Sequence, residues 1–161
     1  MAVDIQACAC GSGLRAQRCC AYDFNNRPPP GSAKQLLPLV ERAARAFELK
    51  QFDVAEQLAL EVLELAQSQP GALSTLYRLR RAQNKLAAVE VLLRRFVWLY
   101  PNEIGPTCEF ALLLKQTGKL AQAEVHARNA VRIAPTNPGA HNLMGMILTD
   151  SNRPRVGGVS L

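Results

Sequence analysis

The stretch that decides the fold is ALLLKQTGKLAQAEVHARNAVRIAP, residues 111–135. Its second half carries small apolar residues at intervals of three and four, at Ala123, Ala127 and Ala130. That spacing places them along one face of an α-helix. The pair Gly118-Lys119 interrupts the apolar pattern, as residues of a turn do. The stretch therefore predicts two amphipathic helices joined by a short turn.

The same pattern recurs at a step of 34 residues, with turn pairs at Lys50-Gln51, Asn84-Lys85 and Gly118-Lys119. In the first repeat the apolar stripe runs through Leu58, Val62 and Leu65, which we expect to pack against a neighbouring helix. A fixed period of this length is the signature of an architecture built from repeated helix pairs. The alternative is a generic helical bundle with an accidental period.

Residues 36 to 149 resemble the tetratricopeptide repeat (TPR). Arg42 and Tyr77 depart from the family pattern in the first and second repeats. The resemblance implies an all-α fold, a TPR α-solenoid of about three and a half helix-turn-helix repeats. The third repeat matches the family pattern best, and the matching positions are Ala111, Leu114, Gly118, Leu120, Ala123, Ala127, Ala130 and Pro135.

The domain boundaries follow from the period and from a proline-rich spacer that reads NNRPPPGS at residues 25–32. Three consecutive prolines favour extended polyproline II, so the spacer separates two regions. We divide the chain into a knuckle at 1–24, a linker at 25–35, a TPR array at 36–149 and a non-repeat tail at 150–161. Within the array the repeats are 36–69, 70–103, 104–137 and a partial repeat at 138–149.

The fourth repeat loses its pattern after its first helix, because Pro154 falls where a second helix should begin. Apolar residues of that first helix would then have little to cover them. We therefore expect either self-association through the uncapped repeat or a longer array of which this chain is one part. Ala111 and Gly145 are expected at helix crossings, where a small residue lets two backbones approach closely.

Residues 8–20, here named the cysteine loop, read CACGSGLRAQRCC. Four thiolates are the number that closes a tetrahedral zinc shell, and Gly11-Ser12-Gly13 supplies the flexible backbone for the turn. The loop resembles the SEC-C zinc-binding motif, although Ala9 replaces the usual proline. That resemblance implies a structural Zn²⁺ held by Cys8, Cys10, Cys19 and Cys20. Free thiols or a redox pair are the alternatives, but adjacent cysteines form only a strained disulfide.

TPR proteins bind peptides or partner domains in a concave groove lined by the first helix of each repeat. Arg78, Arg81 and Lys115 would favour an acidic partner, since guanidinium groups pair with carboxylates. The lysine and asparagine clamp of chaperone-binding members is replaced by Val40 and Ala44. By register, the resemblance implies groove residues Val40, Ala44, Phe47, Ser74, Arg78, Arg81, Cys108, Leu112, Lys115, Asn142 and Met146.

The net charge is +6, and residues 70–103 carry much of the excess. We interpret this run as a solvated helix face. Nucleic acid is an unlikely partner, because Arg94 and Arg95 lie on a second helix away from Arg78 and Arg81 and no aromatic residues are interleaved.

No apolar run approaches the roughly 20 residues that cross a bilayer. We expect a cytoplasmic protein, whose reducing compartment favours metal binding by the clustered thiols and leaves Cys108 as a half-buried, unreactive thiol.

An enzymatic function finds little support in the sequence. His126 and His141 have no nucleophile or carboxylate placed beside them, and Gly11-x-Gly13 lacks the strand and helix of a phosphate loop. We therefore expect no catalytic site. The phrase HARNAVRIAPTNPGAHNLMGMIL at residues 126–148, together with the cysteine loop, resembles the front part of bacterial TPR sulfotransferases. The alternative function is thus an interaction module of such an enzyme, with the catalytic domain outside this chain.

Overall fold

A computed structural model describes residues 7–16, 19–20 and 34–152. Within these ranges a short 3-10 helix at Lys34–Leu36 precedes seven α-helices. The chain divides into two compact units, Met1–Leu99 with the first four helices and Tyr100–Leu161 with the last three. The α-helices are α1 (Leu37–Glu48), α2 (Phe52–Leu65), α3 (Pro70–Ala82), α4 (Leu86–Leu99), α5 (Ile104–Gln116), α6 (Leu120–Ile133) and α7 (Pro138–Asn152).

The turn between the two helices of a pair has the same backbone conformation in all three places. Lys50, Asn84 and Gly118 have positive φ angles of 60°, 57° and 80°. The residue after each of them donates its N–H five residues back, and for Gln51 the distance to the carbonyl oxygen of Ala46 is 2.8 Å. This hydrogen bond and the left-handed residue before it define a Schellman ending. The predicted turns at 34-residue steps are confirmed.

Two of the helices begin with the same capping arrangement. The side-chain oxygen of Gln69 accepts a hydrogen bond from the N–H of Ala72 at 2.7 Å, at the start of α3. Asn137 caps α7 in the same way, through the N–H of Ala140 at 3.0 Å. In both helices a proline occupies the first position, where its missing N–H costs no hydrogen bond. These signals explain where the first helices of the second and fourth repeats begin.

The apolar stripes predicted from the sequence are buried in the cores of the two units, except for one residue. Ala123, Ala127 and Ala130 are fully buried on α6, and Leu58 and Val62 are buried on α2. Leu65 is 69% exposed, so its assignment to the packed stripe is wrong. It is the last residue of α2, and the buried face continues instead through Ala66.

The expectation for Gly145 is also wrong. A Cβ atom built at this position of α7 would meet nothing within 4 Å, so no close helix crossing requires a glycine there. Ala111, by contrast, is fully buried in the second unit. In α7 the apolar residues Leu143 and Ile147 are buried while Met146 is 40% exposed, so part of the last helix remains uncovered within its unit.

Helix α7 continues to Asn152, past the end that we predicted for the partial repeat. The rest of the tail, from Arg153 onward, lies outside the described residues, as do 1–6, 17–18 and 21–33, which include most of the linker. The domain boundaries drawn from the sequence remain a prediction. Among the described helices, none combines the length and the apolar character needed to cross a membrane.

Candidate metal centre and interaction surfaces

Four cysteines of the cysteine loop meet at one point in the first unit. The Sγ atoms of Cys8, Cys10, Cys19 and Cys20 all lie within 4.8 Å of one another, and those of Cys10 and Cys19 are 3.3 Å apart. Four sulfurs around a metal at about 2.3 Å would be about 3.8 Å apart, so the observed cluster has the size of a tetrahedral thiolate site. The four side chains could therefore hold a metal ion.

The backbone between the cysteines forms a tight, hydrogen-bonded loop. Ala7 and Arg15 form an isolated antiparallel bridge, and the N–H of Cys8 donates to the carbonyl of Leu14 at 2.7 Å. Gly11 and Gly13 have φ angles of +84° and +88°, which other residues rarely adopt. The glycines thus let the chain reverse within the loop and return toward Cys8.

The thiols differ in how readily they ionise. Burial works against ionisation of Cys8, but hydrogen bonds from the backbone N–H groups of Cys10 and Cys20 and from their thiols lower its pKa to about 6. Burial, followed by the interactions with Cys8 and Cys10, raises the pKa of Cys20 to about 11. Burial also raises the pKa of Cys19, against the effect of its hydrogen bond from Ser12. A bound divalent cation would favour the thiolate form of all four.

Ser12 connects one sulfur of the cluster to the backbone of the loop. Its hydroxyl donates to Sγ of Cys19 at 3.0 Å and accepts from the N–H of Leu14 at 3.2 Å. The residue is fully buried. Groups that hydrogen-bond a metal ligand orient it and tune its basicity, so Ser12 would serve this role for Cys19.

Two buried arginines hold the cysteine loop against the helices of the first unit. Arg80 of α3 donates to the carbonyl oxygen of Ser12 from Nε at 2.9 Å and from Nη2 at 2.6 Å. Arg95 of α4 donates from Nη2 to the carbonyl oxygen of Cys19 at 2.6 Å. Each of these arginines is only 1% exposed. The interpretation of the basic run as a solvated helix face is therefore wrong for Arg80 and Arg95.

Helix α2 contributes acidic partners to the same contact. Glu56 pairs with Arg80 at 3.1 Å, and this hydrogen bond holds the pKa of the Glu56 carboxyl below its usual range. Glu64 forms a two-pronged ion pair with Arg15 of the cysteine loop. A Cβ atom at Gly13 would lie 2.5 Å from Nη2 of Arg80, so any other residue there would have to displace the guanidinium from its present position.

The groove residues predicted in the first unit lie on α1 and α3. Val40 is buried, and Ala44, Phe47, Ser74 and Arg81 are half-buried. Arg78 is already engaged, because its guanidinium lies 4.5 Å from the centroid of the Phe47 ring and pairs with Glu48 at 3.1 Å. Arg78 and Arg80 are two residues apart on α3 and so point to nearly opposite sides of the helix.

In the second unit, part of the predicted groove lines a cavity. It has a volume of about 520 Å³ and lies along α5 and α7. Its lining includes three of the predicted groove residues, Lys115, Asn142 and Met146. Nζ of Lys115 pairs with Asp150 at 2.9 Å. Cys108 and Leu112 are half-buried on α5 but do not line the cavity. The lining residues are Lys115, His141, Asn142, Gly145, Met146, Thr149 and Asp150.

The other residues considered for chemistry are Cys108, His126 and His141. Burial, and next the charge of Glu109, raises the pKa of the Cys108 thiol, as expected for an unreactive cysteine. The ring of His126 lies 4.5 Å from that of Phe110, and Nε2 of His141 lies 2.6 Å from the carbonyl oxygen of Pro135.

Sequence reasoning missed Arg80 and Arg95, although a signal for them exists. On α3, Arg80 follows Leu73 and Leu76 at helical spacing, and on α4 Arg95 follows Leu92 in the same way. Both arginines thus occupy the apolar stripe of their helix. A charged residue in such a stripe is seldom buried without a partner, and this indicates a polar contact on the packed face.

No protein-family model matches this sequence, and no curated protein matches it either. The fold is similar to that of solved TPR structures. The first TPR domain of Spaghetti (RPAP3), bound to an HSP90 peptide, has a TM-score of 0.68 at 16% identity, covering 76% of this chain and 97% of that one. The Yersinia enterocolitica type III secretion chaperone SycD, in complex with a peptide of the translocator YopD, has a TM-score of 0.65 at 16% identity, with 75% and 98% covered.

A third similar structure belongs to a much longer chain. An O-GlcNAc transferase of Thermobaculum terrenum has a TM-score of 0.62 at 22% identity, covering 75% of this chain and 23% of the transferase. At these identities the likeness establishes the fold alone. The predicted fold class, all-α tetratricopeptide repeats preceded by a cysteine cluster, is confirmed.

Proposed function

We propose that this chain is a protein-interaction scaffold that binds a peptide or a partner domain through the first helices of its repeats. The cavity along α5 and α7 carries the proposal, because three of the five groove residues assigned to the second unit line it. It offers an amide at Asn142, a charge at Lys115 and the 40% exposed side chain of Met146. This mixture of apolar surface with a few polar groups is typical of a ligand site. The peptide-bound neighbours support the same function.

The partner that we propose is an acidic peptide. In the first unit, the Arg78 side chain is 41% exposed and that of its partner Glu48 is 66% exposed. An exposed ion pair of this kind contributes little, about 0 to 1 kcal/mol, so a carboxylate of the ligand can replace Glu48. Arg78 is also oriented by the Phe47 ring, which reduces the entropy lost when a ligand binds it. Chaperone C-termini are poorer candidates because Val40 and Ala44 stand in the clamp positions.

The test uses two labelled nonapeptides of alternating sequence, one of leucine and glutamate and the other of leucine and lysine. Fluorescence anisotropy at low salt should show tighter binding of the glutamate peptide, by about tenfold. Arg78→Glu and Arg81→Glu should each weaken that binding. The matched control is Arg94→Glu, which makes the same charge change at an exposed residue of α4. Equal binding of the two peptides, or equal losses in the control and the groove variants, would contradict the proposal.

The metal that we propose for the cysteine loop is a structural Zn²⁺. Four sulfur ligands at tetrahedral spacing suit zinc or an iron centre, and four protein ligands leave no open position for substrate. Zinc binding would order a segment that is too short to form a core of its own. Mass spectrometry of metals in protein purified without chelator should find one zinc per chain. Zinc well below one per chain, or iron in its place, would refute the assignment.

A second candidate is that these repeats are the interaction module of a longer transferase, as the sulfotransferase resemblance implies. The similarity to 23% of an O-GlcNAc transferase favours it, since it places a comparable set of helices within a transferase chain. The test is the genomic sequence downstream of the last codon of this chain. An in-frame continuation with a phosphate-binding loop supports the candidate, and a stop codon refutes it.

A further inference from the structure

The contact between the cysteine loop and the first unit is built from charged side chains that are almost completely buried. Arg80 and Arg95 are each 1% exposed and donate to the backbone oxygens of Ser12 and Cys19. Removing a guanidinium from water is costly unless nearby groups balance its charge. Carbonyl oxygens satisfy hydrogen bonds but carry no formal charge. Glu56 faces Arg80 and balances part of its charge.

A metal bound by the four cysteines would change this balance. A divalent ion with four thiolates carries a net charge of −2, and it would lie next to Cys19, whose carbonyl receives the Arg95 hydrogen bond. Two buried guanidinium groups beside a doubly negative complex form a favourable electrostatic arrangement in a region of low dielectric constant. Neither group is a metal ligand, and each holds the loop that carries the ligands.

We propose that metal binding docks the cysteine loop onto α2, α3 and α4, and that Arg80 and Arg95 are positioning residues that raise the metal affinity of the four cysteines. The occupant of this helical surface is thus a segment of the same chain. This inference rests on the proposed metal site. It goes further in assigning two non-ligand residues to metal binding and in coupling that binding to the stability of the first unit.

Three independent contacts support docking of the loop rather than free attachment through a linker. Leu14 of the loop is 3% exposed, so its side chain is buried. Arg15 pairs with Glu64 of α2. Gly13 gives Arg80 the space to reach the Ser12 carbonyl, because a Cβ there would collide with the guanidinium. The loop and the helices therefore have complementary shape as well as complementary charge.

The coupling between metal and helices has to act in both directions. A metal that favours the docked loop stabilises the helical surface that the loop covers, and changes in that surface alter metal affinity by the same factor. Removing the metal should therefore release the loop and expose the amides of α2 to α4. Helix α6 in the second unit has none of these contacts among the described residues and serves as an internal reference.

The experiment titrates the full chain with Co²⁺ and Zn²⁺, using the visible absorption of tetrahedral cobalt thiolate and a chromophoric chelator as competitor. Arg95→Met should weaken zinc binding by about 10- to 100-fold, as loss of a group that orients a ligand does elsewhere. Arg95→Lys keeps the charge and should recover part of that loss, and Arg80→Met compared with Arg80→Lys should show the same pattern. Arg94→Met is the matched control at the neighbouring exposed position, and its affinity should stay within about twofold of wild type.

Hydrogen exchange of the wild-type chain with and without zinc gives a second measure that requires no variant. Chelation should increase exchange in α2 to α4 and leave α6 unchanged. If folded Arg95→Met binds zinc as wild type does, or if exchange in α2 to α4 is independent of zinc, the inference is wrong while the zinc site stands. If the wild-type chain binds neither Zn²⁺ nor Co²⁺, the proposed metal site itself is wrong.

Discussion

Arg80 donates two hydrogen bonds to the same carbonyl oxygen of Ser12, from Nε at 2.9 Å and from Nη2 at 2.6 Å, although 68 positions separate the two residues in the sequence. Such a long-range contact closes a large loop of chain, and it must offset the entropy lost in doing so. It is accompanied by the ion pair of Arg80 with Glu56 and by full burial of Ser12. The contact therefore joins the cysteine loop to α3 within the first compact unit.

The fit between Gly13 and Arg80 predicts that Gly13→Ala destabilises the chain by about 2 to 4 kcal/mol. Alanine at a φ of +88° is strained by about 1 to 2 kcal/mol, and its Cβ would displace the guanidinium that bonds Ser12. Urea unfolding followed by circular dichroism measures the change. Gly145→Ala is the matched control, and it should stabilise the chain by about 0.5 to 1 kcal/mol because the position is helical and open. Loss of stability in the control would restore Gly145 as a helix-crossing residue.

The hydrogen bond from Ser12 to Sγ of Cys19 predicts an effect on metal affinity without loss of a ligand. Ser12→Ala removes the donor, and we expect zinc affinity to fall by about tenfold. Competition with a chromophoric chelator measures it. Ser74→Ala, a half-buried serine of α3, is the control and should leave affinity unchanged. An unchanged affinity in Ser12→Ala would mean that the hydroxyl only supports the backbone at Leu14.

The helical part of the fold was predictable because the same turn residues and apolar spacing recur in each repeat. Turn residues at 50, 84 and 118 have positive φ angles, and the alanine stripe of α6 is fully buried. The failures occur where local spacing does not decide burial. Leu65 belongs to an apolar column but ends its helix, and Gly145 is small without being near another helix.

The cysteine cluster was also predictable, since four thiols lie within a short segment whose glycines let the chain turn back on itself. The contact of the cysteine loop with the helices was not predictable in the same way, because Arg80 and Arg95 belong to a basic run that is typical of surface charge. Sequence gives the position of a charged residue on a helix but not the distant backbone oxygen that it meets. The carbonyls of Ser12 and Cys19 satisfy these arginines, and any residue type in those places would offer the same oxygen.

The lowered pKa of Glu56 predicts a dependence of stability on pH. A carboxyl with a folded pKa below its unfolded value near 4.5 contributes stability above that value and loses it as the pH falls through the folded pKa. Glu56→Gln should therefore be less stable than wild type by about 1 kcal/mol at pH 7, with the gap narrowing below about pH 4.5. Urea unfolding at several pH values measures the gap. Glu61→Gln, at an exposed position of the same helix, is the control, and a gap that does not narrow as the pH falls below 4.5 contradicts the linkage.

The ion pair of Lys115 with Asp150 predicts a gain of function in the cavity of the second unit. Asp150 competes with any carboxylate of a ligand for Nζ of Lys115, from which its Oδ2 is 2.9 Å. Asp150→Asn should therefore tighten binding of the leucine–glutamate peptide by about threefold to tenfold, while stability changes by less than about 1 kcal/mol because both side chains are partly exposed. Asp53→Asn removes the same charge from an exposed position of α2 and separates a local effect from one of net charge. Equal gains in the two variants would show that only net charge matters, and no gain in either would remove Lys115 from the binding surface.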